Sequence, residues 1–215
     1  MKLYGYWRSS ASWRVRIALN LKGLAYEYDP INLIADGGQQ NNEAYRALNP
    51  MQQVPTLEVD VGGEMRRLTQ SIAIIEYLEE RFPTPALLPT DPYLRARARA
   101  LAEVVNSGIQ PLQNLEPQRY VREVLKGDAK AWTEHFIGRG MKALESLASE
   151  TAGRFLVGDE VTIADVCLVP QMFAARRFGV DPASLPTLSR VEAACNELVA
   201  FEAARPERQP DAPPA

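Results

Sequence analysis

A chain of 215 residues, 46% hydrophobic and 24% charged, holds enough apolar material for two small cores and does not read as disordered or fibrous. Its net charge of −3 contains no long run of one sign, which speaks against nucleic acid as a partner, because neutralising phosphates takes a concentrated basic face. No stretch approaches the ~18 apolar residues of a membrane span, there is no leader pattern, and two cysteines without metal-type spacing make the cytoplasm the expected compartment.

Taken in chain order, residues 2–6 read as a strand. Trp13, Ile17 and Leu21 then repeat at i, i+4, i+8 over a helix that Gly23 stops. Tyr26 and Tyr28 alternate with acidic residues in a second strand before Pro30; Asp36-Gly37-Gly38 is a loop, and residues 42–48 form a short helix. Residues 54–59 alternate like a strand, Gly62-Gly63 marks a turn, and 65–68 return as the hairpin partner. Ser71 is positioned to cap a helix running to Phe82, with Ile72, Ile75 and Leu78 on one face. The order β-α-β-α-β-β-α predicts a mixed sheet with helices packed on it.

Pro83, Pro85, Pro89 and Pro92 forbid a continuous helix, so residues 84–92 read as a stiff linker between a domain at 1–83 and another at 93–215. Beyond the linker only helical patterns remain, at 93–108, 117–126, 128–148, 162–178 and 187–203, so the second domain is expected to be all-α. Within the first of these, Arg95, Arg97 and Arg99 alternate with alanine and read as a solvated face. From Arg205 the proline-rich stretch is expected to be extended or mobile. Cys167 and Cys195 fall in predicted helices among apolar neighbours and read as buried free thiols; the single histidine, His135, has no evident partner for a triad or a metal site.

Chemistry has two natural places in the first domain. Ser9-Ser10-Ala11-Ser12 opens a helix directly after a strand, where bare N–H groups favour an anion by ~0.3–1 kcal/mol. Those serines either cap the helix or donate to a bound anion, and the same field stabilises a thiolate. Gln70-Ser71 is a second such helix start, again open to both readings. Val54-Pro55 lies between them, at a bend or a sheet edge. Two helix starts around an X-Pro bend describe a site for a small peptide with several carboxylates. Thr162-Ile163-Ala164-Asp165 fits a capping box and is assigned to folding.

This organisation, with Val54-Pro55 before the third strand and Gln70-Ser71 at the last helix, resembles the cytosolic glutathione transferases. Ser9-Ser10-Ala11-Ser12-Trp13-Arg14-Val15-Arg16 is similar to the Ser-Ser-Cys-x-Trp-Arg-Val-Arg motif of their zeta class, the maleylacetoacetate isomerases. Asp36-Gly37-Gly38-Gln39-Gln40, the segment 48–56, Gly108-Ile109-Gln110-Pro111-Leu112-Gln113-Asn114-Leu115 and the segment 157–165 extend the likeness nearly end to end. The resemblance implies an α/β plus all-α fold: an N-terminal thioredoxin-like βαβαββα domain followed by an all-helical glutathione-transferase C-terminal domain.

It also implies glutathione as cofactor and cis-trans isomerisation of maleylacetoacetate to fumarylacetoacetate, by a thiolate that adds to the double bond and leaves after rotation. Carried over, Ser9 and Ser10 are the catalytic pair, Ser9 the better placed to donate to the sulfur. Ala11, Gln40, Val54, Gln70, Ser71, Gln110 and Asn114 complete the glutathione set. Arg8 and Arg177 are the candidates for a dicarboxylate substrate, with Arg176 an adjacent ambiguity; no metal is implied. Ala11 stands where the class usually has cysteine, so sulfur must come from the cofactor. Maleylpyruvate isomerisation, conjugation or dehalogenation of α-haloacids, and a binding module without turnover are the alternatives. A homodimer follows from the resemblance alone.

Overall fold

The computed structural model describes residues 1–214, the side chain of Asp36 excepted. Its contacts divide into two units, one of residues 1–85 together with residues from 198 onward, the other of residues 86–197. The stretch from Leu198 onward, expected with the helical half, therefore belongs to the first unit.

In the first unit, β1 (Lys2–Gly5), β2 (Glu27–Pro30), β3 (Thr56–Val61) and β4 (Glu64–Thr69) form one sheet in the order β2-β1-β3-β4. β1 runs parallel to β2 and antiparallel to β3, and β3–β4 is the hairpin predicted around Gly62-Gly63. Helix α1 (Ser10–Leu21) makes the β1–β2 crossover, α2 (Glu43–Leu48) follows the loop, and α3 (Ser71–Arg81) follows β4. Leu3, Trp13, Ile17, Leu19, Leu57, Ile74, Ile75 and Leu78 are buried in this unit, each apolar side chain contributing about 1.5–3 kcal/mol relative to exposure.

Behind α1, the fully buried Lys22 ammonium donates to Glu79 Oε2 and to the carbonyls of Phe82 and Pro85, each at 2.7 Å. It neutralises a carboxylate and satisfies two main-chain carbonyls just after α3, which ties the end of α3 to the end of α1.

The second unit is helical: α4 (Pro92–Glu103), α5 (Leu115–Glu123), α6 (Ala129–Ala148), α7 (Ile163–Arg177) and α8 (Pro186–Asn196). Three local outcomes differ from the periodicity. Helix α4 passes into a π turn at Val104–Ile109; the pattern read as 187–203 breaks after Asn196, its remainder forming α9 (Val199–Ala203) in the first unit; and Arg95 and Arg97 are not merely solvated. Arg95 donates to Pro89 O at 3.0 Å, and Arg97 to Leu147 O and Glu150 at 2.9 and 2.8 Å.

The capping box at α7 is formed as expected. Asp165 accepts from Leu156 N, Thr162 N and Thr162 Oγ1 at 2.8–2.9 Å, while Thr162 Oγ1 caps Ala164 N. Burial pushes Asp165 up to about 6 despite those three donors. Both cysteines are buried and neither is in a disulfide, and burial pushes the Cys195 thiol far above the ordinary range.

Candidate active site

The turn between β1 and α1 is built from its own backbone. Ser9 N donates to Tyr6 O at 3.0 Å, and Ser12 Oγ accepts from Tyr6 N at 3.4 Å. Ser9 is the N-cap of α1, its Oγ accepting from Ser12 N at 3.2 Å. Capping uses a lone pair of the hydroxyl and leaves its proton to donate outward, so the two readings of this serine are compatible. Ser10 is the first helical residue and is half-buried, as is Ala11. Arg8 lies beside them with its guanidinium 5.3 Å from the Trp7 ring.

At α3 the structure corrects the expected cap. Ser71 is the first helical residue, and Gln70 is the N-cap, with no capping bond from its side chain. Gln70 has φ 68° and ψ 114°, a strained backbone for a residue with a Cβ, and such strain is found at ligand-holding positions. The buried Ser71 Oγ accepts from Nη1 of Arg14 at 3.1 Å, and Arg14 is itself 0% exposed. A fixed positive charge thus reinforces the N-terminus of α3 as an anion site. Sequence reasoning missed Arg14 as a site residue; the signal was an arginine between Trp13 and Val15 in an apolar stretch of helix.

Between the two helix starts, the Val54-Pro55 peptide is cis. The approach to it is locked: Gln53 O accepts from Tyr45 Oη and Asn49 Nδ2 at 2.8 and 2.7 Å, and Tyr45 Oη also meets Thr56 Oγ1 at 3.1 Å. Burial pushes the Tyr45 hydroxyl up to about 12, so it remains a donor. Val54 is buried with Tyr6 and Tyr45 in a small cluster beneath Tyr4, Trp7, Ile31, Leu33 and Leu48. Its backbone N–H and C=O bond to no group among the described residues, and such groups pair readily with an extended peptide. Gln40 packs under Gly38, where φ is 94° and a Cβ would lie 2.4 Å from Gln40 Nε2; Gln40 Oε1 is buried without a hydrogen-bond partner.

These features fit a small acidic peptide with a thiol. One helix start offers a hydroxyl proton, the other a carboxylate seat with an arginine behind it, and Val54 and Gln40 offer peptide-type partners. Among the described residues no cluster of acidic, histidine or cysteine side chains suits a metal.

In the second unit, Gln110 Nε2 donates to Asn114 Oδ1 at 2.9 Å, so these two amides are partnered with each other. Their turn is held by a reciprocal amide pair between Gln113 and the fully buried Gln171, at 3.0 and 3.2 Å, and by Trp132 Nε1 on Leu112 O at 3.0 Å. Arg176 is engaged by Glu192 through two bonds of 2.6 and 2.5 Å, and the Arg177 guanidinium lies 5.6 Å from the Phe178 ring; both arginines are exposed.

Comparison with known proteins agrees with this geometry. Residues 3–86 match the family model for the glutathione S-transferase N-terminal domain. The chain is 51% identical over 211 residues to maleylacetoacetate isomerase of Rattus norvegicus, covering 98% of this chain and 94% of that one. A solved maleylacetoacetate isomerase from Anaeromyxobacter dehalogenans, with glutathione bound in the active site, superposes with a TM-score of 0.91 at 55% identity, covering 99% of this chain and 97% of that one. The same enzyme has also been solved with dicarboxyethyl glutathione and citrate, at a TM-score of 0.90. A bacterial maleyl pyruvate isomerase, described as a zeta-class glutathione S-transferase, gives a TM-score of 0.91 at 46% identity, covering 99% of this chain and all of that one.

Proposed function

Because the chain belongs to the glutathione S-transferase family, and within it to the zeta-class maleylacetoacetate isomerases, we propose that it is a glutathione-dependent cis-trans isomerase converting maleylacetoacetate to fumarylacetoacetate. The observation that carries this reading is the match to maleylacetoacetate isomerases over the whole chain. Bound glutathione supplies the sulfur nucleophile, whose reversible addition to an enedioate turns a rigid double bond into a rotatable single bond. A dicarboxyethyl thioether, the compound bound in the Anaeromyxobacter enzyme, is what a thiol and a four-carbon enedioate yield.

The protein's own groups have defined tasks in this scheme. Ser9 donates its hydroxyl proton to the sulfur while its lone pair caps α1, and Ser10 and the backbone at Ala11 add donors at the helix start. Gln70, Ser71 and the Arg14 charge hold the γ-glutamyl carboxylate. Val54 pairs with the cysteinyl backbone, and Gln40 contacts the tripeptide. Ala11 removes the cysteine usual at this position, so no protein thiol competes with that of glutathione. Arg8 and Arg177 serve the substrate carboxylates, and Gln110 and Asn114 are the second unit's candidates for glutathione.

Turnover of maleylacetoacetate with catalytic glutathione tests this reading. Loss of the cis isomer with the thiol fully recovered is expected; consumption of one thiol per substrate, with no isomer released, refutes it. Maleylpyruvate is the second reading, favoured by the 46% identical maleyl pyruvate isomerase, and a higher kcat/KM for maleylpyruvate would select it. The enzyme is placed in the cytoplasm, in aromatic amino-acid breakdown, as a homodimer. A monomer mass by sedimentation refutes the dimer.

A further inference from the structure

The segment after α9 carries more order than its prolines suggest. Pro206–Arg208 forms a 3₁₀ turn, Gln209 Nε2 donates to the carbonyls of Ala203 and Arg205, and Ala212 N donates to Gln209 O. These bonds present Asp211 to the turn that leads into α1. Asp211 Oδ2 accepts from Trp7 N at 2.9 Å, with the Tyr28 hydroxyl 3.5 Å away. On the other side of the same residue, the fully buried Arg16 donates through Nη2 to Trp7 O at 2.9 Å and through Nη1 to Tyr6 O at 3.4 Å. Its Nε donates to Ala204 O at 3.1 Å, which anchors the segment itself. Trp7 is thus held at its N–H by a carboxylate and at its C=O by a guanidinium, two charge-assisted bonds from a pair of opposite charges.

We infer that Asp211 is a positioning residue for the glutathione site: with Arg16 it brackets Trp7 and thereby sets where Arg8 and Ser9 stand. The physical reason lies in the chain geometry. Trp7 is one residue before Arg8 and two before the N-cap Ser9, and the turn is closed by the Ser9 N to Tyr6 O bond and the long 3.4 Å bond from Tyr6 N to Ser12 Oγ. A hydroxyl that must meet a sulfur within hydrogen-bond distance tolerates little drift of its backbone. Asp211 itself touches no reacting atom. The assignment rests on the reading of Ser9 as the donor to the glutathione sulfur.

Two measurements on the folded protein test it: amide exchange of Trp7 N–H in the ligand-free enzyme, and the ultraviolet thiolate absorbance of bound glutathione at neutral pH. In Asp211→Ala, Trp7 N–H is expected to exchange at least about tenfold faster and the thiolate fraction to fall about fivefold, the scale of one helix-terminus interaction. Asp211→Asn keeps an acceptor on Trp7 N–H and is expected to restore both readings to within about twofold of the parent. Asp211→Ser repeats the loss with a short polar side chain should D211A not fold. Parent-like exchange and thiolate fraction in D211A or D211S overturn the inference, as does a D211N protein that falls as far as they do. A parent enzyme that fails to ionise glutathione at all refutes the Ser9 reading instead, and Trp7 exchange still reports on Asp211 by itself.

Discussion

Replacing Ser9 separates helix capping from thiolate stabilisation. In Ser9→Ala the bond from Ser12 N at 3.2 Å is lost, which costs about 1 kcal/mol; for a chain of this size Tm falls by about 2–4 °C. A hydrogen bond to a charged group is worth about 1.5–3 kcal/mol, so removing the donor raises the thiol pKa of bound glutathione by about one to two and lowers kcat/KM at neutral pH about 10- to 100-fold. Ser9→Asp divides the two effects. Aspartate caps as well as serine and gains from the helix dipole, so the melting temperature returns. It offers no proton to an anion and carries its own charge, so activity stays at or below that of S9A. The assay pairs thermal melts with kcat/KM against pH, the acid limb of the S9A profile moving to higher pH. If S9D recovers activity together with stability, Ser9 is a cap and nothing more.

Gln70→Gly relieves the strained backbone at φ 68° and is expected to raise stability by about 1 kcal/mol while weakening glutathione binding; lower stability with unchanged affinity, by melting and titration calorimetry, contradicts the carboxylate-seat reading. Arg177→Ala is expected to raise the substrate KM about tenfold or more with little change in Tm, as a lost charge-assisted contact implies. Arg176→Ala, which strands Glu192, lowers Tm instead, and exchanged phenotypes would exchange the assignments. Lys22→Met leaves Glu79 without its cation and two carbonyls without a donor, for a loss of about 3–5 kcal/mol by urea unfolding, and the K22M/E79Q double variant recovers part of it. Asp165 binds its proton more tightly in the fold than in the unfolded chain, so its contribution is full below about pH 4 and is lost as pH rises through about 6. Relative to Asp165→Asn, unfolding free energy falls by up to about 3 kcal/mol across that window; a difference independent of pH refutes it.

The chain carries its local decisions openly. Alternation at 54–59 and the Gly62-Gly63 pair specify the β3–β4 hairpin, Trp13 and Ile17 are buried in α1 as their spacing predicts although burial extends to every residue from Ser12 to Leu19 and leaves Leu21 half-exposed, and Thr162 with Asp165 specifies the start of α7. Each depends on neighbours a few residues away, whose sterics and hydrogen bonds act before any tertiary contact exists. Ser9-Ser10 and Gln70-Ser71 were legible as helix starts for the same reason, and the family likeness supplied the ligand that suits them. Tertiary structure decided what those local rules leave open. Arg14 meets Ser71 across 57 residues and Arg16 meets Ala204 across 188. Glu192 claims Arg176 from another helix, and Asp211 reaches back to Trp7. A buried charge is settled by whichever distant partner can offset its desolvation, and periodicity does not name that partner. The placement of Gln70, rather than Ser71, at the cap of α3 belongs with these, since a strained backbone persists only where the surrounding fold holds it.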